Sequence, residues 1–302
     1  MGPYLYVPLT VLLLLTISSG PRFGECANLT LLNHCKETIW PAILPGDNFT
    51  DDVDGTALKP GKFAVLTAPP GWHGRIWGRT GCSFEGGGNG TCQTGGCGNS
   101  LKCSEPGKSP ATLAEFSLGQ QSLDFYDVSL VSGFNIPITV TPLRGKGNCS
   151  TAGCDGDLRD SCPSELAVKA ENGKTVIGCQ SACDAFDTDE YCCRGMYADP
   201  VSCRSSNYSS SFKRVCPAAY SYAFDGPTSV ITCSASDYVV SFCASRNQSA
   251  CAYRDQNLVC NGAGGTGASS PAWLILFITM SSLLGLNICV KSFSEVVHKI
   301  CC

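Results

Sequence analysis

Sixteen cysteines between Cys35 and Cys243 constrain this chain more than any other feature. So many thiols are unsustainable in a reducing compartment, and their density predicts an oxidised, secreted ectodomain stapled by disulfides. A zinc protein would need repeated C-x2-C or Cys/His ligand sets. The spacings here run otherwise, as in Cys179/Cys183, Cys97/Cys103 and the adjacent pair Cys192–Cys193. No metal and no cofactor is expected.

Both ends agree with a secretory route. The apolar stretch from Leu5 to Ile17 has the length of a signal-peptide core, and small residues near Gly24 and Cys26 offer a cleavage site, so residues 1–26 read as a leader. At the other end, residues 244–260 carry two extra cysteines, 261–272 form a Gly/Ser linker, 273–290 are apolar and 291–302 are polar. Two outcomes fit this tail. Asn261 begins a small-residue stretch before a spacer and apolar run, as a lipid-anchor attachment site requires. Alternatively the segment spans a membrane, with Lys291 and Lys299 placing the C-terminus in the cytosol. Either outcome tethers the ectodomain to the plasma membrane.

Removing the leader and everything after Asn261 takes away three basic and two acidic residues, leaving 18 and 23 and a net charge of −5. That balance offers no basic face to nucleic acid. Sequons at Asn28, Asn48, Asn89, Asn207 and Asn247 are candidate glycosylation sites; a sixth, at Asn148, is set aside because Cys149 follows it.

Short alternating runs, LTLLNHC, KFAVLTAP, RIWGRTGC, NIPITVTP and DYVVSFC, are punctuated by Gly, Pro, Asn and Asp. They predict a mainly β architecture, a sandwich or flattened barrel, built from residues 27–148 and 217–243. Between 149 and 216 the composition shifts to Cys, Ser and Asp, with helical pieces expected at SELAVKA, SACDAF and SSSFKRVC. This insert is too lean in apolar residues to hold itself together, so disulfides must supply much of its stability.

Catalytic elbows and phosphate loops are missing from the pattern. Within the mature body only His34 and His73 remain, and neither sits by a nucleophile motif. Gly262, Gly264 and Gly267 match a dinucleotide fingerprint by accident, in a linker with no following soluble helix. The run Gly86–Gly90 lacks the Lys-Ser/Thr of a phosphate loop.

The runs GRIWGRTGC, GNGTCQTGGC, ATLAEFSL, DFYDVSLVSGFNIPITVTP, DEYCC and FKRVCPAAYSYAFDGPTS resemble the thaumatin-like proteins of plants, pathogenesis-related group five. The resemblance extends from Ala27 to Cys243 and takes in all sixteen cysteines. It implies a thaumatin-like β-sandwich core with a disulfide-rich helical lobe and a small hairpin lobe. It also implies the pairs Cys35–Cys243, Cys82–Cys92, Cys97–Cys103, Cys149–Cys233, Cys154–Cys216, Cys162–Cys179, Cys183–Cys192 and Cys193–Cys203. Spacing cannot choose these, since sixteen cysteines allow on the order of two million pairings. Cys251 and Cys260 are expected to close an additional loop of their own.

The resemblance further implies a cleft lined by Arg75, Glu115, Asp127, Ser132 and Asp225. Serine at 132 stands where the family carries a third acid, and Thr94-Gly95-Gly96-Cys97 replaces a usual T-G-D-C. Clustered carboxylates raise one another's pKa, so Glu115 is the candidate general acid, with Asp127 or Asp225 as partner, if the cleft hydrolyses anything. The alternative is a solvated groove in which Arg75 neutralises Asp127. Expected from these readings is a monomeric, membrane-tethered antifungal defence protein that binds β-1,3-glucan or another wall polysaccharide. A weak endo-β-1,3-glucanase and a non-catalytic interaction module in development or signalling are the alternatives. Phe125, Tyr126, Phe134 and Phe224 flank the cleft positions, as sugar-stacking or core residues.

Overall fold

The computed structural model describes residues 26–46, 49, 51–119, 123–226, 229–234 and 237–247, with the backbone of Cys251–Arg254 and Asn257–Cys260. The expected attachment site at Asn261, the apolar tail and the sequon at Asn48 lie outside these residues. No helix among the described residues is long and apolar enough to cross a membrane.

Numbered along the chain, the first strands are β1 (Ala27–Asn33), β2 (Trp40–Pro45), β3 (Phe63–Ala68), β4 (His73–Arg79) and β5 (Ser83–Phe84). Next come β6 (Gly90–Thr91), β7 (Leu113–Ser117), β8 (Asp124–Ser129), β9 (Ile138–Leu143), β10 (Ala152–Gly153), β11 (Ala167–Lys169) and β12 (Val176–Cys179). The last are β13 (Ile231–Cys233), β14 (Asp237–Phe242), β15 (Cys251–Arg254) and β16 (Asn257–Cys260). Three α-helices, α1 (Ala182–Phe186), α2 (Asp189–Cys192) and α3 (Asn207–Val215), lie between β12 and β13.

Two five-stranded sheets form the core, in the orders β10-β9-β14-β1-β3 and β13-β8-β7-β4-β2. The period-two alternation of each strand sends one set of side chains inward. Leu29, Leu31, Tyr238, Val240 and Phe242 enter from the first sheet; Ile76, Ala114, Phe116, Tyr126 and Val128 enter from the second. The Tyr238 ring lies 5.1 Å from Tyr126 and 5.4 Å from Phe116, and its hydroxyl donates to Asp124 Oδ2 at 2.7 Å. Aromatic pairs and one satisfied polar contact thus knit the core. Phe134 is fully buried, so it and Tyr126 are core residues, while Phe125 stays exposed and Phe224 half-buried.

Strands β1 and β14 come from opposite ends of the domain and pair in parallel, Leu29 facing Tyr238 and Asn33 facing Phe242. Cys35 bonds Cys243 just beyond that pair. The remaining bonds are Cys82–Cys92, Cys97–Cys103, Cys149–Cys233, Cys154–Cys216, Cys162–Cys179, Cys183–Cys192 and Cys193–Cys203. Cys26 is disulfide-bonded too. Cys251 and Cys260 face each other in the register of the β15–β16 hairpin; their side chains lie outside the described set.

The helical lobe differs from expectation at one place. SELAVKA is not a helix: Ala167–Lys169 form β11, which pairs antiparallel with β12. The Cys162–Cys179 bond draws the two segments together, and β-branched Val168, Val176 and Ile177 suit a strand, so cross-linking and pairing override local helix propensity. SACDAF becomes α1, with Ser181 accepting from the Asp184 amide. The third piece begins earlier than expected, at Asn207, where Ser206 and Ser209 form a reciprocal capping box. Neither α1 nor α2 contributes a buried residue. Around α1 and α2 the bonds Cys183–Cys192 and Cys193–Cys203 do much of the holding, while Leu158, Leu166 and, on α3, Phe212 anchor the rest of the lobe in the core.

Candidate functional site

Three strands of the second sheet place three charged side chains in one row. Arg75 on β4 faces Glu115 on β7, and Glu115 faces Asp127 on β8. The next cross-strand row, Ile76, Ala114 and Val128, is wholly buried in the core. Alternation therefore turns the charged row to the opposite, outer face of the sheet. Toward one end this outer face is covered, because Trp77 and Leu113 pack with Ala42, Cys97 and Ala111 into a second small core. The charged row begins where that cover stops.

Within the row the three groups are not equivalent. Arg75 Nε donates to Glu115 Oε1 at 2.6 Å, with both side chains partly exposed. Arg75 therefore pairs with Glu115 and not with Asp127, unlike the neutralised groove considered above. Asp127 Oδ1 is buried with no hydrogen-bond partner among the described residues. Burial first, and the Glu115 charge second, push the Asp127 carboxyl up to about 7, with Arg75 opposing the rise. Glu115 is the carboxylate that pairs with the arginine; Asp127 is the one whose pKa is raised. A carboxyl raised in this way makes Asp127 a candidate for the acid role beside Glu115, the candidate from sequence.

Asp225 has a separate role. Its Oδ2 accepts from Lys213 Nζ at 2.9 Å and from the amide and hydroxyl of Ser221, each at 2.8 Å. Lys213 spends its other two protons on Ala219 O and Ser229 Oγ, both at 2.9 Å. This network pins α3 to the segment after Cys216. Lys213→Ala leaves Asp225 without its cation, and chemical denaturation is expected to show about 2 kcal/mol of lost stability; no measurable loss would contradict the pinning role. Ser132 lies half-buried on the turn after β8, its carbonyl accepting from Ala111 at 2.9 Å. No hydrogen bond among the described residues ties its side chain to the charged row.

One residue that sequence reasoning missed belongs here. Tyr220 lies along β8, its amide donating to Val128 O and its carbonyl accepting from the Leu130 amide, each at 2.8 Å. Burial raises the pKa of its phenol, and the charges of Asp127, Asp225 and Glu115 raise it further. Tyr220 is therefore a neutral phenol within electrostatic reach of all three acids. Its only sequence signal was its place in PAAYSYAFDG, five residues before Asp225.

Among the described residues no cluster of three or more His, Cys, Asp or Glu side chains is arranged to hold a metal ion. The sequons at Asn89, Asn207 and Asn247 are exposed; Asn28 is half-buried and accepts from Thr67 Oγ1 at 3.0 Å. In chemical terms the row offers an arginine-paired carboxylate and a carboxyl with a raised pKa, with a phenol nearby, so hydrogen-bond donors and acceptors stand side by side.

Comparison with known proteins finds one family and several close relatives. The family model described as the Thaumatin family matches residues 33–244. Pathogenesis-related thaumatin-like protein 3.5 of Cryptomeria japonica is 49% identical over 238 residues, covering 77% of this chain and 98% of that protein. Pathogenesis-related protein 5 of Arabidopsis thaliana is 46% identical over 234 residues, covering 77% of this chain and 96% of its own length. Among solved structures, the thaumatin-like xylanase inhibitor TLXI is 26% identical, with a TM-score of 0.41 over 72% of this chain and 99% of that one.

Proposed function

The chain belongs to the thaumatin family, alongside pathogenesis-related relatives, and on that premise we propose that it is a surface defence protein that binds a neutral β-1,3-glucan through the Arg75–Glu115–Asp127 row. The observation that carries this reading is the unpartnered, buried Oδ1 of Asp127 beside a carboxylate already neutralised by arginine. A polar atom so placed costs free energy until a ligand reaches it. Sugar hydroxyls both donate and accept, and suit a site holding one neutral acid and one compensated anion. A charged ligand of either sign gains less there. Sedimentation with insoluble β-1,3-glucan tests the reading: wild type is expected to pellet and the Glu115→Gln/Asp127→Asn protein to stay in solution. Wild type remaining in solution with its fold intact would favour a protein partner instead.

A second reading, weak hydrolysis, is favoured by one specific feature. Two neighbouring carboxyls with unequal protonation are what a glycosidase needs, a proton donor and an anion. In this reading Asp127 would protonate the glycosidic oxygen and Glu115 would stabilise or activate the attack. The arginine bond on Glu115 argues against rapid turnover, because it occupies one of the two oxygens such a role uses. Release of reducing ends from soluble glucan, lost in Asp127→Asn, would establish hydrolysis. Its absence in wild type leaves binding alone.

Thaumatin-like pathogenesis-related proteins are typically secreted. We place this one on the outer cell surface, held there by processing of its tail near Asn261. The support is the order of small residues, Gly/Ser spacer and apolar run. Phosphatidylinositol-specific phospholipase is expected to release the protein from plant membranes. Retention, while a control lipid-anchored protein is released, points to a spanning segment.

A further inference from the structure

The helical lobe carries a concavity of its own, a cavity of about 50 Å³ with an open mouth. Tyr191, Tyr208 and Tyr222 wall it, Glu190 and Arg204 stand beside them, and Val131 also lines it. Its origin is covalent. Cys183–Cys192 and Cys193–Cys203 cross-link residues 9 and 10 apart in sequence, holding short helices that bury nothing of their own. Loops fixed by sulfur need not collapse to fill space, so a void persists where a packed lobe would have closed it.

The walls are also pre-set. Phe186 lies 5.5 Å from Tyr191 and 5.3 Å from Tyr208, and Tyr191 lies 5.8 Å from Tyr208, ring centre to ring centre. Tyr208 is further fixed by donating its hydroxyl to Glu165 Oε1 at 2.9 Å. Rings so fixed lose little freedom when a ligand lies on them. Glu190 and Arg204 carry opposite charges, so the pocket presents no net sign. Aromatic faces with hydroxyls and balanced charges suit a ligand with apolar C–H faces and a rim of hydroxyls.

The pocket lies near one end of the charged row. Its lining residue Val131 is four residues after Asp127, and its lining residue Ser221 follows Tyr220, whose amide donates to Val128 O beside Asp127. We propose that this pocket is an outlying subsite for one pyranose unit of the neutral β-glucan chain whose other units lie along Arg75, Glu115 and Asp127. The cavity is too small for a whole sugar. It admits the hydroxymethyl arm, and the ring rests at the mouth against the tyrosines. The inference depends on glucan being the ligand of the charged row, and its test separates the two.

Calorimetric titration with β-1,3-linked disaccharide and hexasaccharide reads the subsite through chain length. Wild type is expected to bind the hexasaccharide at least tenfold more tightly than the disaccharide. Tyr191→Ala is expected to remove most of that difference and leave disaccharide affinity unchanged, whereas Glu115→Gln weakens both. Because Tyr191 also packs on its neighbours, Arg204→Ala is the companion variant, expected to weaken the hexasaccharide alone by threefold or more. Equal affinity of wild type for both lengths overturns the subsite and spares the charged row. Hexasaccharide affinity untouched by either pocket variant overturns it equally. Failure of wild type to bind either sugar removes both readings together.

Discussion

Replacing Cys35 and Cys243 together by alanine is expected to lower the unfolding free energy by about 5 kcal/mol. The bond spans 208 residues of sequence, and restricting so long a loop removes most of the entropy that a single cross-link can take from the unfolded chain. It also fastens the ends of a parallel strand pair whose partners come from opposite ends of the domain. The Cys97–Cys103 bond, with a separation of 6, is expected to contribute about 2 kcal/mol by the same loop-entropy relation. Guanidinium denaturation of the two double variants measures the contrast. Equal losses would locate the stabilisation in native contacts around each bond instead of in the unfolded chain.

Raising the pH from 4.5 to 8 is expected to cost wild type about 2 kcal/mol more than it costs the Asp127→Asn protein. The sign follows from where the proton resides. Asp127 titrates near 7 in the folded state and near 4 when unfolded. Between those values the folded protein retains a proton that the unfolded chain has released, so rising pH pulls toward unfolding. The stabilisation is complete below pH 4, is lost on passing 7, and changes no further above it. The full shift corresponds to about 4 kcal/mol; partial solvent access to a half-buried side chain reduces that by roughly half. Other carboxylates titrate in the same range, which is why the difference between the two proteins is the informative quantity. A wild type that gains stability on Asp127 ionisation would mean that Arg75 compensates Asp127 after all.

These two results draw on parts of the molecule that the sequence exposes unequally. Cysteine density announces a cross-linked, secreted domain, and the short alternating runs announce that it is mainly β. Which sulfur meets which was legible only through resemblance, since Cys35 and Cys243 are brought together by a parallel pairing that leaves no local signal. Arg75, Glu115 and Asp127 were likewise nominated by motif. Their division of labour was not, because it depends on cross-strand register and on which carboxylate the arginine reaches. Asp225 was nominated by motif as well, and its bond to Lys213, twelve residues earlier on α3, had no local signal. SELAVKA read as helix because its residues favour one, and only the bond to Cys179 and pairing with β12 make it a strand. Tyr220 and the tyrosine-walled pocket left no spacing to detect. Both arise where the disulfide-rich lobe folds back against the sheet.

The central claim is that a protonated Asp127 beside an arginine-held Glu115 waits for a neutral sugar. Carbon-detected NMR titration of the Asp127 carboxyl, free and saturated with β-1,3-linked hexasaccharide, tests it in one measurement. A midpoint near 7 that climbs further when the sugar excludes water is the predicted result. A midpoint near 4, or one indifferent to saturating sugar, would contradict it.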